Sequence, residues 1–127
     1  MSVTVLIVDD SKLARIVAGK ALAQLQPEWR KIEANGSIEA LALIASHGAD
    51  VALIDFNMSG KDGLELAGDL RILKPEMPIA IITANIQDEI ISRTRQIGAA
   101  FVAKPVTAEG LEGFISGAAL RLRSKSA

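Results

Sequence analysis

Short apolar runs rich in β-forming residues alternate with segments of helical periodicity along the whole chain, and this alternation constrains the fold more than any other feature. Four runs are apolar enough for strands that are buried on both faces of a sheet. They span residues 3–8, 51–54, 79–82 and 99–103. A weaker strand is predicted over 29–34, before the turn signal Asn35-Gly36. Five strands in alternation with five helical segments predict one α/β domain, a doubly wound parallel sheet with helices on both faces.

The helical segments begin at capping residues or end at helix-breaking residues. Ser11 is placed to cap a first helix over residues 12–24, and Thr107 is placed to cap the fifth helix. The other helices are predicted over about 37–48, 64–74 and 87–96. The domain is predicted to cover residues 1–121, and the basic segment 122–127 is predicted to form a C-terminal tail.

Polar side chains directly follow four of the predicted strands. They are Asp9 and Asp10 after the first strand, Asp55 after the third, Thr83 after the fourth and Lys104 after the fifth. The carboxyl ends of parallel strands lie at one edge of the sheet, and open α/β sheets bind their ligands outside that edge. We therefore expect these side chains to form one site.

Three of these residues are aspartates, which points to a metal ion. The adjacent carboxylates of Asp9 and Asp10 repel each other, and a cation between them removes the repulsion. Mg2+ uses one or two carboxylates together with waters and substrate oxygens, so this pair and Asp55 could hold it. A solvated strand end with a helix cap would also explain Asp9-Asp10, and a turn-forming role would explain Asp55. The aspartates alone leave these alternatives open.

The same residues suit phosphoryl transfer. A carboxylate such as that of Asp55 can attack phosphorus and form an aspartyl-phosphate. Thr83 supplies a hydroxyl donor, and Lys104 supplies a mobile cation for phosphoryl oxygens. Phosphoryl transfer depends mainly on positioning and charge stabilisation, which three carboxylates, a metal, a hydroxyl and an ammonium provide together.

Over essentially its whole length, the chain resembles the CheY-like receiver domains of response regulators in two-component signalling. The matching motifs are Val8-Asp9-Asp10-Ser11, Ala34-Asn35-Gly36, residues 55–63, Thr83-Ala84 and residues 98–105. The resemblance implies a flavodoxin-like fold, with one five-stranded parallel sheet in the order 2-1-3-4-5 and five helices. It also implies a cis peptide bond between Lys104 and Pro105.

The resemblance gives each site residue a role. Asp55 is implied as the phosphoacceptor, and Thr83 and Lys104 are implied to contact the phosphoryl group. The implied Mg2+ ligands are Asp10, Asp55, the backbone carbonyl of Asn57 and, through a water molecule, Asp9. The implied switch residues are Thr83 and Phe101. Phe101 replaces the tyrosine of many receivers, so any switch at this position must depend on packing.

Two features of the loops near the site bear on how fast the implied reactions run. Many receivers carry proline just after the methionine that follows the phosphoacceptor, whereas this chain has Ser59-Gly60, which should make the loop more flexible. Asn57 and Asn85 occupy positions that are implied to border the water that attacks the aspartyl-phosphate. We therefore expect tuned kinetics with retained function.

The implied function is that of a signalling phosphoprotein and not of a conventional enzyme. A histidine kinase or histidine phosphotransfer protein would donate the phosphoryl group, and the domain would catalyse its own Mg2+-dependent phosphorylation and its autodephosphorylation. The surface of the fourth helix, fifth strand and fifth helix would then change and control a partner protein. We expect a stand-alone or excised receiver that is a monomer or a phosphorylation-dependent dimer. A receiver-like adaptor that binds partners without phosphorylation is the main alternative.

Composition argues against several other functions. The formal net charge of -1 argues against direct nucleic-acid binding, and the absence of cysteine excludes thiolate metal sites and cysteine nucleophiles. No apolar run approaches the roughly 18 residues of a membrane span, so we expect a soluble, cytoplasmic protein. A haloacid-dehalogenase-like phosphatase needs a second aspartate where this chain has Asn57. A flavin carrier needs aromatic residues around the ring, and the chain has only 3%.

Overall fold

The structure, a computed structural model, describes residues 2–84 and 86–126, so Asn85 lies outside the described residues. Strands and helices alternate along the chain as the sequence predicts. The elements are β1 (Thr4–Val8), α1 (Lys12–Leu25), β2 (Arg30–Ala34), α2 (Ser37–Ser46), β3 (Val51–Asp55), α3 (Gly63–Leu73), β4 (Ile79–Thr83), α4 (Asp88–Gln96), β5 (Ala100–Ala103) and α5 (Ala108–Ser126).

The strands form one parallel sheet in the order β2-β1-β3-β4-β5, which confirms the predicted fold. Every residue of β3 and β4 is buried, because helices cover both faces of these central strands. β2 is an edge strand and is mostly exposed, which explains its weaker apolar pattern. Near their carboxyl ends the paired residues are Val8 with Ala34 and with Ile54, Asp55 with Ile82, and Thr83 with Ala103. This register brings the residues that follow the strands to one edge.

Each face of the sheet has its own hydrophobic core. One cluster joins α2, α3 and α4 to the sheet, and the other joins α1 and α5 to it. Consecutive strand residues point to opposite faces, so Leu53 packs in the α1–α5 cluster and Ile54 in the other. Both side chains are completely buried, and each such burial contributes about 1.5–3 kcal/mol. The strands therefore form a rigid base for the residues at their ends.

Side-chain caps fix the beginnings of three helices. Ser11 Oγ and Thr107 Oγ1 each accept a hydrogen bond from the backbone N–H three residues later, at 3.2 Å and 2.9 Å, which confirms both predicted caps. α3 begins with a capping box, in which Asp62 and Glu65 exchange hydrogen bonds between side chain and backbone. The loop that precedes α3 is therefore anchored at its far end.

Arg71 ties the end of α3 to the segments around it, at the edge of the sheet opposite the predicted site. Its guanidinium donates hydrogen bonds to four backbone carbonyls. The acceptors are Ile97 O at 2.9 Å, Pro75 O at 3.0 Å, Met77 O at 2.7 Å and Gly98 O at 3.1 Å. Burial and the nearby Arg121 lower the pKa of Arg71 from its ordinary value. The carbonyl oxygens offset this cost by solvating the partly buried cation.

α5 continues to Ser126, so the described part of the predicted tail, residues 122–126, extends this helix. The division of the chain at residue 121 stays a prediction. Within residues 2–84 and 86–126, no helix is both long enough and apolar enough to cross a membrane.

Candidate functional site

The residues at the carboxyl edge of the sheet are held there by backbone hydrogen bonds that continue the strand pairing. Asp55 and Thr83 are the last residues of β3 and β4. Asp9 follows β1, and its N–H donates to the Ala34 carbonyl at 3.1 Å. Lys104 follows β5, and its N–H donates to the Thr83 carbonyl at 3.1 Å. The structure thus brings the predicted site residues to the same edge.

Three aspartates meet at this edge. Asp9, Asp10 and Asp55 each offer a carboxylate oxygen, and these oxygens all lie within 4.8 Å of one another. Asp9 and Asp55 are only 6% and 3% exposed, whereas Asp10 is exposed. Carboxylates this close repel each other unless a proton or a cation lies among them.

Lys104 supplies positive charge beside the aspartates. Its Nζ atom lies 2.9 Å from Asp55 Oδ1 and 3.6 Å from Asp9 Oδ2. The contact with Asp55 is an ion pair without hydrogen-bond geometry, so the buried Oδ1 atom receives no hydrogen bond from the described residues. The peptide bond from Lys104 to Pro105 is cis, which confirms the expectation from the sequence.

The charges of the site shift the pKa values of two residues. Burial raises the pKa of Asp55 above its ordinary value, Asp9 and Asp10 add to this rise, and Lys104 opposes it only in part. Burial would lower the pKa of Lys104, but its contacts with Asp55 and Asp9 outweigh burial and raise the pKa instead. One ammonium therefore does not fully compensate the carboxylates.

The donor set suits Mg2+. Three carboxylates lie within reach of one ion, and the buried Oδ1 atom of Asp55 meets the Lys104 ammonium in an ion pair that lacks hydrogen-bond geometry. Hard oxygen ligands of this kind are those that Mg2+ prefers, and an ion there would relieve the repulsion between the aspartates. The carbonyl of Asn57, the remaining ligand implied by the resemblance, belongs to the exposed loop just after Phe56 and stays a prediction.

The implied switch residues lie on neighbouring strands. Thr83 is completely buried at the end of β4, and Phe101 is half-buried on the edge strand β5. Phe101 pairs with Ile81, and Ala103 pairs with Thr83. Paired residues of parallel strands point to the same face, so Thr83 and Phe101 share the face that α4 covers. Their roles as switch residues stay predictions.

A groove with mainly apolar walls opens beside the aspartates, between α1 and the segment after β5. Its walls include Leu13, Val17, Pro105 and Val106, and both Asp9 and Lys104 line it. Leu13 is 71% exposed. Leu13 thus adds exposed apolar surface beside the charged site.

Two contacts at the site could not be predicted from the sequence. Arg15 reaches back to the carbonyl of Asp9 and pairs with Glu33, residues that are 6 and 18 positions away. The backbone of Gly63 lies against Asp55, where an added Cβ would be 2.3 Å from the Asp55 carbonyl oxygen. The glycine belongs to a motif that carries the resemblance, but its close contact depends on the path of the loop. No spacing in the sequence signals either contact.

Comparisons with known proteins agree with the geometry. The family model for the response regulator receiver domain matches residues 5–116. The positive alginate biosynthesis regulatory protein of Pseudomonas aeruginosa is 39% identical over 110 residues, which cover 84% of this chain and 43% of that protein. The transcriptional regulatory protein MalR of Bacillus subtilis is 30% identical over 115 residues, which cover 90% of this chain and 49% of that protein. The chain thus spans less than half the length of these curated relatives.

One of the similar solved structures matches this chain over nearly the whole length of both chains. The chemotaxis protein CheY4 of Vibrio cholerae superposes with a TM-score of 0.82 and 26% sequence identity, over 93% of this chain and 99% of that chain. The fold of this chain is therefore that of a CheY-like protein along its length.

Proposed function

Because this chain belongs to the family of response regulator receiver domains, we propose that Asp55 accepts a phosphoryl group in an Mg2+-dependent reaction. The proposed donor is a histidine kinase or a histidine phosphotransfer protein. The observation that carries the proposal is the environment of Asp55. Its side chain is buried, its Oδ1 atom meets the Lys104 ammonium without hydrogen-bond geometry, and two aspartates lie beside it. Burial of such a carboxylate costs folding free energy, so its presence supports a role in chemistry.

In the proposed reaction, Asp55 is the nucleophile. A carboxylate oxygen attacks the phosphorus of a phosphohistidine in line with the leaving nitrogen, so that the O–P bond forms as the N–P bond breaks. The electron pair of the N–P bond stays on the imidazole of the donor. Lys104, already in ion-pair contact with Asp55, balances the negative charge that the phosphoryl group brings.

The proposed Mg2+ ligands are Asp10, Asp55, the backbone carbonyl of Asn57 and, through a water molecule, Asp9. Bound there, Mg2+ would neutralise phosphoryl oxygens and orient the group for in-line transfer. The three carboxylates stay close together before the donor arrives, because backbone hydrogen bonds fix the strand ends that carry them.

The proposed response is a change on the surface formed by α4, β5 and α5. A phosphoryl group on Asp55 offers new acceptor oxygens to Thr83 and Lys104. Movement of Thr83 toward these oxygens would leave space on the face that it shares with Phe101, and Phe101 would fill that space by packing. The altered surface would then bind or release a partner protein, as a shift between two conformations.

The groove between α1 and the segment after β5 is the proposed docking surface for the phosphodonor. A donor must bring its phosphohistidine within reach of Asp55, and the groove is lined by Asp9 and Lys104 as well as by apolar residues. The exposed Leu13 would be covered by an apolar face of the donor. The change Leu13→Ser should therefore slow transfer from the donor protein but leave phosphorylation by a small phosphodonor unchanged.

The proposed setting is a cytoplasmic phosphorelay, in which the chain is a monomer or a phosphorylation-dependent dimer without direct contact to nucleic acid. The receiver domain would cover residues 1–121, followed by the basic segment 122–127. We propose a signalling phosphoprotein that catalyses its own phosphorylation and autodephosphorylation, and not a conventional enzyme.

Intact mass after incubation with Mg2+ and a small phosphodonor tests the proposal directly. The wild-type protein should gain one phosphoryl group, and chelation of Mg2+ should abolish the gain. The variant Asp55→Asn should show no gain. The control Asp50→Asn changes an aspartate at the other end of β3 and should be phosphorylated like the wild type. A phosphoryl group on Asp55→Asn would contradict the assignment of the phosphoacceptor.

A further inference from the structure

The connection between β1 and α1, which carries Asp9 and Asp10, is braced by Arg15. Arg15 Nη1 donates to the carbonyl oxygen of Asp9 at 2.6 Å, and Arg15 Nε donates to Glu33 Oε1 at 2.8 Å. The side chain of Arg15 is only 15% exposed, whereas that of Glu33 is 48% exposed. One guanidinium thus joins the ends of β1 and β2 to the first turn of α1.

The carbonyl oxygen of Asp9 needs this donor because the pairing of β1 with β2 ends at this point. The N–H of Asp9 still pairs with the Ala34 carbonyl, but β2 ends at Ala34, and the chain then turns into α2 through Asn35 and Gly36. A partly buried backbone carbonyl requires a hydrogen-bond donor. Arg15 therefore holds the backbone of Asp9 where the strand pairing no longer can.

The orientation of the Asp9 carboxylate depends on this fixed backbone. Asp9 Oδ1 accepts a hydrogen bond from Ser11 N at 2.9 Å, and Asp9 Oδ2 faces Lys104 Nζ at 3.6 Å. Asp10 lies between Asp9 and Ser11, so the same brace constrains its backbone. Mg2+ demands nearly ideal octahedral geometry, and the positions of these carboxylates therefore affect how tightly it binds.

We infer that Arg15, oriented by Glu33, is a positioning residue that sets the Mg2+ affinity of the site formed by Asp9, Asp10 and Asp55. The inference rests on the proposed function, since it assumes Mg2+ at this site. The inferred change in Mg2+ affinity on removal of Arg15 is opposite in sign to the change that simple electrostatics predicts. Removal of a cation beside three carboxylates should strengthen Mg2+ binding by Coulomb's law, whereas loss of the brace should weaken it.

Calorimetric titration of Mg2+ into the protein separates these two effects. Arg15→Met removes the charge and the donors and should raise the Kd roughly tenfold, as changes in residues that orient metal ligands commonly do. Arg15→Lys should give an intermediate Kd, because one ammonium cannot span both acceptors of the guanidinium. Glu33→Gln keeps an oxygen acceptor for Arg15 and should have a smaller effect than Arg15→Met. Arg30→Met removes an exposed cation at the other end of β2 and is the matched control, with an expected Kd equal to or slightly below that of the wild type.

Urea unfolding of each variant shows whether a change in Kd comes from a loss of folded protein. If Arg15→Met fails to fold, the comparison of Arg15→Lys with Arg30→Met decides the inference. A Kd in the Arg15 variants that equals or falls below the wild-type Kd would overturn it, even if the wild type binds Mg2+ and is phosphorylated. A wild-type protein that binds no Mg2+ would overturn the proposed function and this inference together.

Discussion

The contact between Gly63 and the end of β3 makes the change Gly63→Ala a sharp test of how the site is held. Gly63 is the first residue of α3, and its N–H donates to the Phe56 carbonyl at 3.0 Å. A Cβ at this position would lie 2.3 Å from the carbonyl oxygen of Asp55, 2.8 Å from Phe56 Cα and 2.9 Å from the carbonyl carbon of Asp55. All three are backbone atoms, so no rotation of a side chain can make room.

The size of the effect follows from these distances. Ordinary van der Waals contact of a Cβ begins near 3.4 Å, so α3 and the end of β3 must separate by 3.4 minus 2.3, or about 1.1 Å. Forcing extra volume into packed structure typically costs about 1–3 kcal/mol, and we expect the upper half of that range because the contact is with backbone. A shift of about 1 Å at a reacting group can cost roughly 100-fold in rate. Phosphorylation of Asp55 in this variant should therefore be slower by about one to two orders of magnitude.

Urea unfolding and the rate of mass gain with a small phosphodonor measure the two effects. The matched control is Gly68→Ala in the middle of α3, where an added Cβ would meet no described atom within 4 Å apart from its own helix's backbone. Alanine favours a helix over glycine by about 1 kcal/mol, so this control should be slightly more stable than the wild type and equally reactive. A Gly63→Ala protein with wild-type stability and a wild-type rate would refute the reasoning.

Three further changes test the charges and the backbone contacts. In metal-free buffer near neutral pH, Asp55→Asn should be more stable than the wild type, because the raised pKa of Asp55 means that its ionisation costs free energy in the folded state. The wild type should lose stability relative to this variant as pH rises above 3.8, and urea unfolding at several pH values measures the difference. Lys104 should have the opposite effect on the pH dependence of stability. Its pKa is raised, so the charged ammonium stabilises the fold below pH 10.5, and this stability is lost as pH rises through the higher folded pKa. Lys104→Met should therefore lack this loss of stability at alkaline pH. Arg71→Met removes four hydrogen bonds to carbonyls and should lower the free energy of unfolding by about 2 kcal/mol in the same assay. The control Arg93→Met, on the exposed face of α4, should change the free energy of unfolding by less than about 0.5 kcal/mol.

The sheet could be predicted from the sequence because burial on both faces leaves a direct trace. β3 and β4 are apolar at almost every position, and a polar residue ends each of them. Parallel pairing then brings those polar residues to one edge without any further information. For the same reason the juxtaposition of Asp9, Asp55 and Lys104 could be predicted, although the distances between their atoms could not.

The contacts that brace the site could not be predicted, because they join segments whose separation in the chain follows no period. Arg15 and Glu33 are 18 residues apart, and Arg71 reaches carbonyls 26 and 27 residues away. Helical and strand periodicities describe only neighbours within one element. The close contact of Gly63 depends on the course of the loop after β3, which local sequence preferences leave undetermined.

Phe101 lies on β5 and Lys104 directly after it, three positions apart, which is about 10 Å along an extended chain. A protein that binds over Phe101 therefore acts on the short strand that leads directly into the lysine of the acidic site. Thermodynamic linkage makes this influence reciprocal: a target that prefers the conformation favoured by phosphorylation must raise the share of the protein in that conformation. The concentration of the target would then be an input to the signal as well as its destination.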